Sequence, residues 1–191
     1  MTPKTNFLFD PQRQGYDTNL WKTLSGVPAI NTNKLRLNAA SIVHYADLYG
    51  CDLTMTMNIP AAPIAGDSRR FGLSSVNLGA YIVFDITGAV FTIQAIDGLG
   101  NTKTTTIDFL AAWAGSAIDY EIRWRGTYAD FLINHVPVID TTDATNKTYA
   151  ANYRLNDIAI PKGPLSVYIR NTNADNLDIT AVVGKNIQTF I

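Results

Sequence analysis

The stretch IDYEIRWRGTYADFLINHVPVID, residues 118–140, decides the fold. In its first half Ile118, Tyr120, Ile122 and Trp124 alternate with Asp119, Glu121, Arg123 and Arg125, the period of a strand with one face on a core and the other in water. Gly126-Thr127 predicts a tight turn, after which Ala129, Phe131 and Ile133 alternate again. The two runs pair as a hairpin with both apolar rows on one side. Asn134-His135 predicts a second turn, followed by a third extended piece.

Outward from this hairpin the pattern repeats. Tyr16 to Leu24 reads as a short strand containing Trp21; Lys34 to Asn38 alternates, and Ser41 to Tyr45 extends it. Asp52 to Ile59 turns Leu53, Met55, Met57 and Ile59 to one face, and Pro60 and Pro63 end the run. After a loop over 61–68, Arg69 to Ser75 forms a short strand. Ala80 to Thr87 and Val90 to Ile96 make a hairpin at Gly88-Ala89, and Asp97 to Asn101 turns the chain into the Thr-rich run 102–108, an antiparallel meander. A single helical turn is expected within Leu110 to Ala117, and a polar loop from Thr141 to Arg154. Strands follow at Leu165 to Ile169 and Leu177 to Val183, with Ile187 to Ile191 as a last short one. Short strands between Gly, Pro and Asn turns, with no long amphipathic helix, predict an all-β antiparallel sandwich.

The 191 residues fit one domain. The expected division is an N-terminal arm or loosely attached strand over 1–15, around Phe7-Leu8-Phe9, and a single domain over 16–191. Charged residues are 16% of the chain and the formal net charge is −1, which leaves no electrostatic footprint for nucleic acid or an anionic membrane. Arg69-Arg70, the only basic doublet, reads as a solvated edge. Cys51 is the only cysteine, which excludes an intramolecular disulfide and a multi-cysteine metal site, and it reads as a small hydrophobe. No apolar run suits a signal peptide or a membrane-spanning helix, so the chain is expected to be made in a cytoplasm without the standard secretion route.

The order of features resembles the concanavalin A-like lectin and glucanase superfamily, a jelly roll of two antiparallel sheets. Tyr120-Glu121-Ile122-Arg123-Trp124 and Phe131-Leu132-Ile133-Asn134 are similar to that family's Y-x-I-x-W strand followed by F-x-I-D/N-G, with His135 standing where the family has Gly. Pro164 to Asn171 and Leu35-Arg36-Leu37 extend the resemblance, which covers residues 16–185. Its laminarinase-type members cleave glucans with two glutamates in an E-x-D-x-x-E strand, because retaining hydrolysis needs two carboxylates about 5 Å apart. The corresponding strand here, Ala80 to Gly88, has Asp85 as its only acid, and no E-x-D-x-x-E run occurs in the chain. The resemblance therefore implies a non-catalytic member, and no enzyme activity is expected.

Lectins of this superfamily bind calcium through Asp and Asn on rim loops, and calcium takes six to eight oxygens. Asp140, Asp143 and Asn146 form the candidate set; Asn171, Asn173, Asp175 and Asn176, and Asp97 with Asn101, are further oxygen-rich loops. Asn and Asp are equally the residues that turns select. No other cofactor is expected. Trp113, Tyr128, Tyr149 and Tyr153 lie in or near loops, where each suits either stacking on a sugar ring or covering the core. His44 and His135 read as surface or turn histidines, since neither has a metal-ligand spacing to an acid or thiol.

Two functions follow as expectations. The first is a non-enzymatic structural or interaction module, a bacteriophage virion surface protein such as a capsid decoration or tail component, made in the host cytoplasm. Its partners would be other virion or surface-assembly proteins, with a homo-oligomer compatible. The alternative is a carbohydrate-binding lectin, with or without calcium, whose partners would be cell-surface glycans.

Overall fold

A computed structural model describes residues 6–45, 47–138, 154–156, 159–173 and 175–187, and folds them into two antiparallel sheets that enclose one core. The strands are numbered in chain order. Across the first sheet they run β13 (Val136–Pro137), β12 (Tyr128–Ile133), β11 (Ala117–Trp124), β6 (Cys51–Asn58), β16 (Leu177–Asn186), β4 (Lys34–Leu37) and β3 (Ala29–Asn31). Two short strands join it from outside this path: β1 (Asn6–Phe9) on β16 and β14 (Arg154–Asn156) on β12. The second sheet runs β10 (Thr102–Ile107), β9 (Val90–Ile96), β8 (Tyr81–Thr87), β7 (Ser68–Ser74), β15 (Ser166–Asn171), β5 (Ala40–His44) and β2 (Trp21–Ser25). Among the described residues helix is limited to one turn at Pro11–Gln14, capped by Asp10, and a 3₁₀ turn at Ala111–Trp113.

The central hairpin forms in the expected register, with Tyr120 opposite Ile133, Ile122 opposite Phe131 and Trp124 opposite Ala129. These residues are all buried, so the alternation in the sequence becomes the inner face of the first sheet. From the second sheet Phe84 meets them: its ring centroid lies 5.1 Å from Phe131 and 5.5 Å from Tyr120. Such aromatic pairs add about 0.5–1.5 kcal/mol each beyond the area they bury, and here they fasten one sheet to the other. Cys51 is buried at the start of β6, and burial pushes its thiol up to about 12, as befits a core hydrophobe.

Several details differ from the sequence reading. Lys34–Leu37 and Ala40–His44 are not one extended strand. The chain turns at Ala39, which has φ +45°, and crosses from the first sheet to the second. Tyr16 to Leu20 does not join β2, because Asp17 closes a local turn, accepting from the Leu20 amide through its carbonyl and from the Asn19 amide through its carboxylate. Nor is Arg69-Arg70 a solvated edge. Arg69 is fully buried, paired with Asp67 and Asp175, and Arg70 is paired with Asp85. His44 is no surface residue: it is buried edge-on to Trp21 with ring centroids 4.9 Å apart, and burial lowers its pKa.

Asn134 and His135 both have positive φ, +51° and +66°, the conformation of a two-residue hairpin turn that twists with its strands. His135 thus holds a left-handed position that glycine takes without strain. It is tied to Glu121, whose carboxylate accepts from its backbone amide at 2.8 Å and lies 2.6 Å from its Nδ1. In the segment expected to be an arm, β1 lies along β16 and Phe9 is buried edge-on to Trp21. Most of the expected polar loop over 141–154 and the last four residues of the expected closing strand lie outside the described residues.

Candidate functional site

Side chains alternate along β8. Ile82, Phe84 and Ile86 join the core, which leaves Tyr81, Val83, Asp85 and Thr87 on the outer face of the second sheet. Pairing registers extend this face into rows. One row is Thr106, Thr92, Asp85, Arg70, Arg170 and Ser41; the next is Thr104, Gln94, Val83, Gly72, Tyr168 and Val43; a third is Thr102, Ile96, Tyr81, Ser74 and Ser166. The strand that the resemblance assigns to hydrolytic carboxylates therefore lies near the middle of a seven-stranded sheet, its outer face carrying Asp85 as the single acid.

Asp85 is buried and both its oxygens are engaged. Arg70 Nε donates to Oδ1 at 2.6 Å and Thr87 Oγ1 donates to Oδ2 at 2.8 Å. The Arg70 guanidinium also lies over the Tyr81 ring, 4.6 Å from its centroid, a cation–π contact. Between the rows of Asp85 and Tyr81, Val83 is buried at an outward-facing position. Tyr81 donates to Gln94 at 3.4 Å, and Gln94 donates to Thr92 at 3.0 Å.

Across β15, Arg170 stands directly opposite Arg70. It donates to Ser68 Oγ at 3.1 Å, while its Nε is buried with no hydrogen-bond partner among the described residues. Burial pushes the Tyr168 phenol up from its ordinary value, partly offset by Arg170 and Arg70. This face thus gathers two guanidiniums, one carboxylate, two phenol rings and an amide.

The end of the sheet beside Tyr81 and Ser74 opens into a cleft of about 630 Å³ between loops, lined by Asp47, Ser75, Asn77, Asp97, Pro161 and Gly163 among others. Asp97 is occupied by its own turn: it accepts from the Leu99 and Asn101 amides and from the Asn101 side chain, which above all lowers its pKa. Asn171 to Asn176 is likewise a structural clamp. Asn171 is buried, donating to the Leu37 and Asp175 carbonyls, and Asn173 donates to Asp67. Among the described residues no group of three or more His, Cys, Asp or Glu side chains could hold a metal ion.

Of the expected sugar-stacking residues, Trp113 and Tyr128 are described and the fold does not bring them together. Trp113 lines a separate cleft of about 230 Å³ beyond the Ile133 end of β12, whereas Tyr128 begins that strand, half-buried. Tyr149, Tyr153 and the expected calcium set Asp140, Asp143 and Asn146 lie outside the described residues. Arg70, Arg170, Tyr81 and Tyr168 escape a reading of the sequence as sites. Alternation alone puts Tyr81 beside Asp85, but the juxtaposition of Arg70 with Arg170 depends on pairing strands about 100 residues apart in the chain.

No family model matches the chain, and no curated protein matches it in sequence. Solved structures match in shape. Crh5 transglycosylase in complex with NAG aligns with a TM-score of 0.69 at 14% identity, covering 96% of this chain and 84% of that one. A prokaryotic β-1,3-1,4-glucanase (lichenase) derived from a mouse hindgut metagenome aligns with a TM-score of 0.67 at 15% identity, over 96% and 100%. The exoplasmic/lumenal domain of VIP36, in its Ca²⁺/Man3GlcNAc-bound form, aligns with a TM-score of 0.65 at 13% identity, over 96% and 90%. Two stacked antiparallel sheets, and a shape shared with glucanase and lectin structures across nearly the whole chain, give this protein the concanavalin A-like jelly-roll fold.

Proposed function

We propose that this chain is a carbohydrate-binding module that does not hydrolyse its ligand, and that it binds on the outer face of the second sheet and the adjoining rim. The observation that carries this reading is the state of Asp85, the one acid among the described residues of that face, held by Arg70 and Thr87, while the Arg70 guanidinium lies over Tyr81 and Arg170, whose Nε has no hydrogen-bond partner among the described residues, stands opposite Arg70. Glycoside hydrolysis with a pair of protein carboxylates needs them about 5–5.5 Å apart for retention or about 6.5–9.5 Å apart for inversion. The same-face positions along β8 that would hold a partner are Val83 and Tyr81. What remains suits recognition: the half-buried Tyr81 ring for the C–H face of a sugar, and guanidinium and amide groups for its hydroxyls.

The similar structures include sugar-active and sugar-binding proteins, which favours the glycan-binding reading over the virion role. Nothing in the fold or among those structures supports placement on a bacteriophage. Calcium through Asp140, Asp143 and Asn146 remains part of the proposal.

The test is a glycan array on purified protein of checked size, with calcium and with a chelator, beside a reducing-end assay on β-1,3-1,4-glucan. Specific binding without release of reducing ends is expected, and Tyr81→Ala should weaken it about tenfold while thermal unfolding stays cooperative. Binding lost with chelator would assign the calcium set. A null array on folded protein would overturn the binding reading, and released reducing ends would overturn the non-hydrolytic one.

A further inference from the structure

The cleft at Trp113 lies apart from the second sheet's outer face. It forms where the chain crosses from β10 through the 3₁₀ turn to β11, against the hairpin of β12 and β13, and is lined by Asp108, Leu110, Trp113, Asn134, Val136 and Pro137 with the ends of Ile133 and Val138. Its aromatic wall is held in place. The Trp113 ring packs edge-on against Phe109 at 5.7 Å, and Phe109 against buried Phe91 at 6.0 Å. The turn itself is anchored to the end of β6, where Gly115 donates to the Ile59 carbonyl at 2.8 Å and Asn58 Nδ2 donates to the Gly115 carbonyl at 2.8 Å. Ordering costs that a flexible indole would incur on binding are thereby largely met in advance.

We propose that this cleft is a second glycan subsite that seats one neutral sugar ring against the Trp113 indole. The proposal rests on the reading that the protein binds glycans. At about 230 Å³ the cleft falls below the roughly 300–1,000 Å³ of drug-sized ligand pockets, so it has room for one ring and not for a chain. Its wall is apolar, matching the C–H face of a pyranose. Its polar groups are few and unspent: the Asp108 carboxylate is exposed and makes no hydrogen bond among the described residues, and Asn134 uses Oδ1 to accept from the Asp119 amide at 3.0 Å, leaving its Nδ2 donors over. An acceptor and a donor beside an aromatic face suit ring hydroxyls. Among the described lining residues the only charged group is an acid, so a uronic acid or sulfated sugar is disfavoured.

The chain's three tryptophans provide a selective readout. Trp21 and Trp124 are each 1% exposed, so quenching of tryptophan fluorescence by acrylamide reports Trp113. The probes are N-acetylglucosamine, a β-1,3-1,4-glucan oligosaccharide and a Man3GlcNAc oligosaccharide, each titrated into the full chain. Saturable protection of the quenchable tryptophan by at least one of them is expected. Asp108→Ala, at an exposed position, should keep the fluorophore and the fold and raise the apparent Kd about tenfold; Trp113→Ala, followed by saturation-transfer NMR of the sugar, should remove the signal from the ring seated here. Array binding without protection of Trp113 would overturn this subsite and leave the outer-face reading standing; loss of both would overturn both. Protection by apolar peptides but by none of the sugars would also overturn it, and would identify the cleft as a seat for a protein side chain.

Discussion

The outer faces of the two sheets are built by opposite rules. On the first sheet, Lys185, Asp52, Arg123 and Asp130 stand side by side across β16, β6, β11 and β12, so charge alternates from strand to strand. Arg125 reaches Asp52 at 2.7 Å, Arg123 reaches Glu121 at 3.4 Å and Arg36 reaches Asp178 at 2.7 Å, nearly all of them in partial contact with water. Opposite charges facing across strands contribute about 0.2–1 kcal/mol per pair and discourage register slips. Folding alone accounts for this face. On the second sheet two arginines face each other, the one acid of the face pairs with Arg70 alone, and the buried Arg170 Nε has no hydrogen-bond partner among the described residues. Like charges placed opposite destabilise a sheet. This arrangement costs the fold something, and it lies on the face proposed above to bind a glycan.

The contrast breaks most severely at Gly72, where the second sheet's outer row has no side chain. Its φ is +148°, and a Cβ there would lie 2.5 Å from the Ile82 carbonyl oxygen and 2.7 Å from Ile122 Cδ1 on the opposite sheet. Gly72→Ala must therefore move backbone as well as strain its own. The expected loss is about 3–5 kcal/mol, combining backbone strain and overpacking, read as a lowered urea midpoint. A midpoint within error of wild type would mean that the two sheets do not approach this closely at Gly72.

Much of this was legible in the sequence, and the failures have a common cause. Period two along Ile118–Trp124 and Leu53–Ile59 marks strand, face and core at once, because one face of each is buried and the other wet. The meander over β8 to β10 follows from local turns. Sequence pattern fails where pairing is distant. Ser41 to His44 continues the alternation of Lys34 to Leu37, yet belongs to the other sheet, since a period of two records which side a residue faces but not which sheet it joins. Arg69 reads as solvated because its partner Asp175 is about a hundred residues away. The same applies to the site. Asp85 could be singled out by its strand, but its neutralisation by Arg70 and the opposition of Arg170 exist only once β8, β7 and β15 lie side by side. Trp113 was found as a loop aromatic, while the cleft around it needed the β12–β13 hairpin to close it.

Asp85→Ala gives the next largest effect and tests whether the second face is a coupled unit. It leaves Arg70, whose side chain is 24% exposed, beside a buried position with no acceptor. The expected loss is about 2–3 kcal/mol, that of a hydrogen bond to a charged group together with the desolvation of its partner. The double variant Asp85→Leu with Arg70→Met should recover most of it, because replacing both members of a buried pair removes the stranded charge. A single variant as stable as wild type would show that Arg70 swings out to water, and the cation–π contact with Tyr81 would then have no role in shaping the face.

The smallest effect is expected on the other sheet, at Asp52. Its side chain is 36% exposed and that of Arg125 is 29% exposed, so removing the carboxylate leaves an arginine that water and a neighbouring carbonyl can serve: Arg125 already donates to the Trp124 carbonyl at 3.2 Å. Asp52→Ala should therefore cost under about 1 kcal/mol, the range of exposed pairs. That cost should shrink further as salt is raised, because charges in contact with solvent are screened over about 8 Å at physiological ionic strength. The Asp85 loss should persist at the same salt concentration. Equal losses from the two substitutions, or equal sensitivity to salt, would mean that both faces are ordinary solvated surfaces, and the physical argument for placing the glycan on the second sheet would lose its ground.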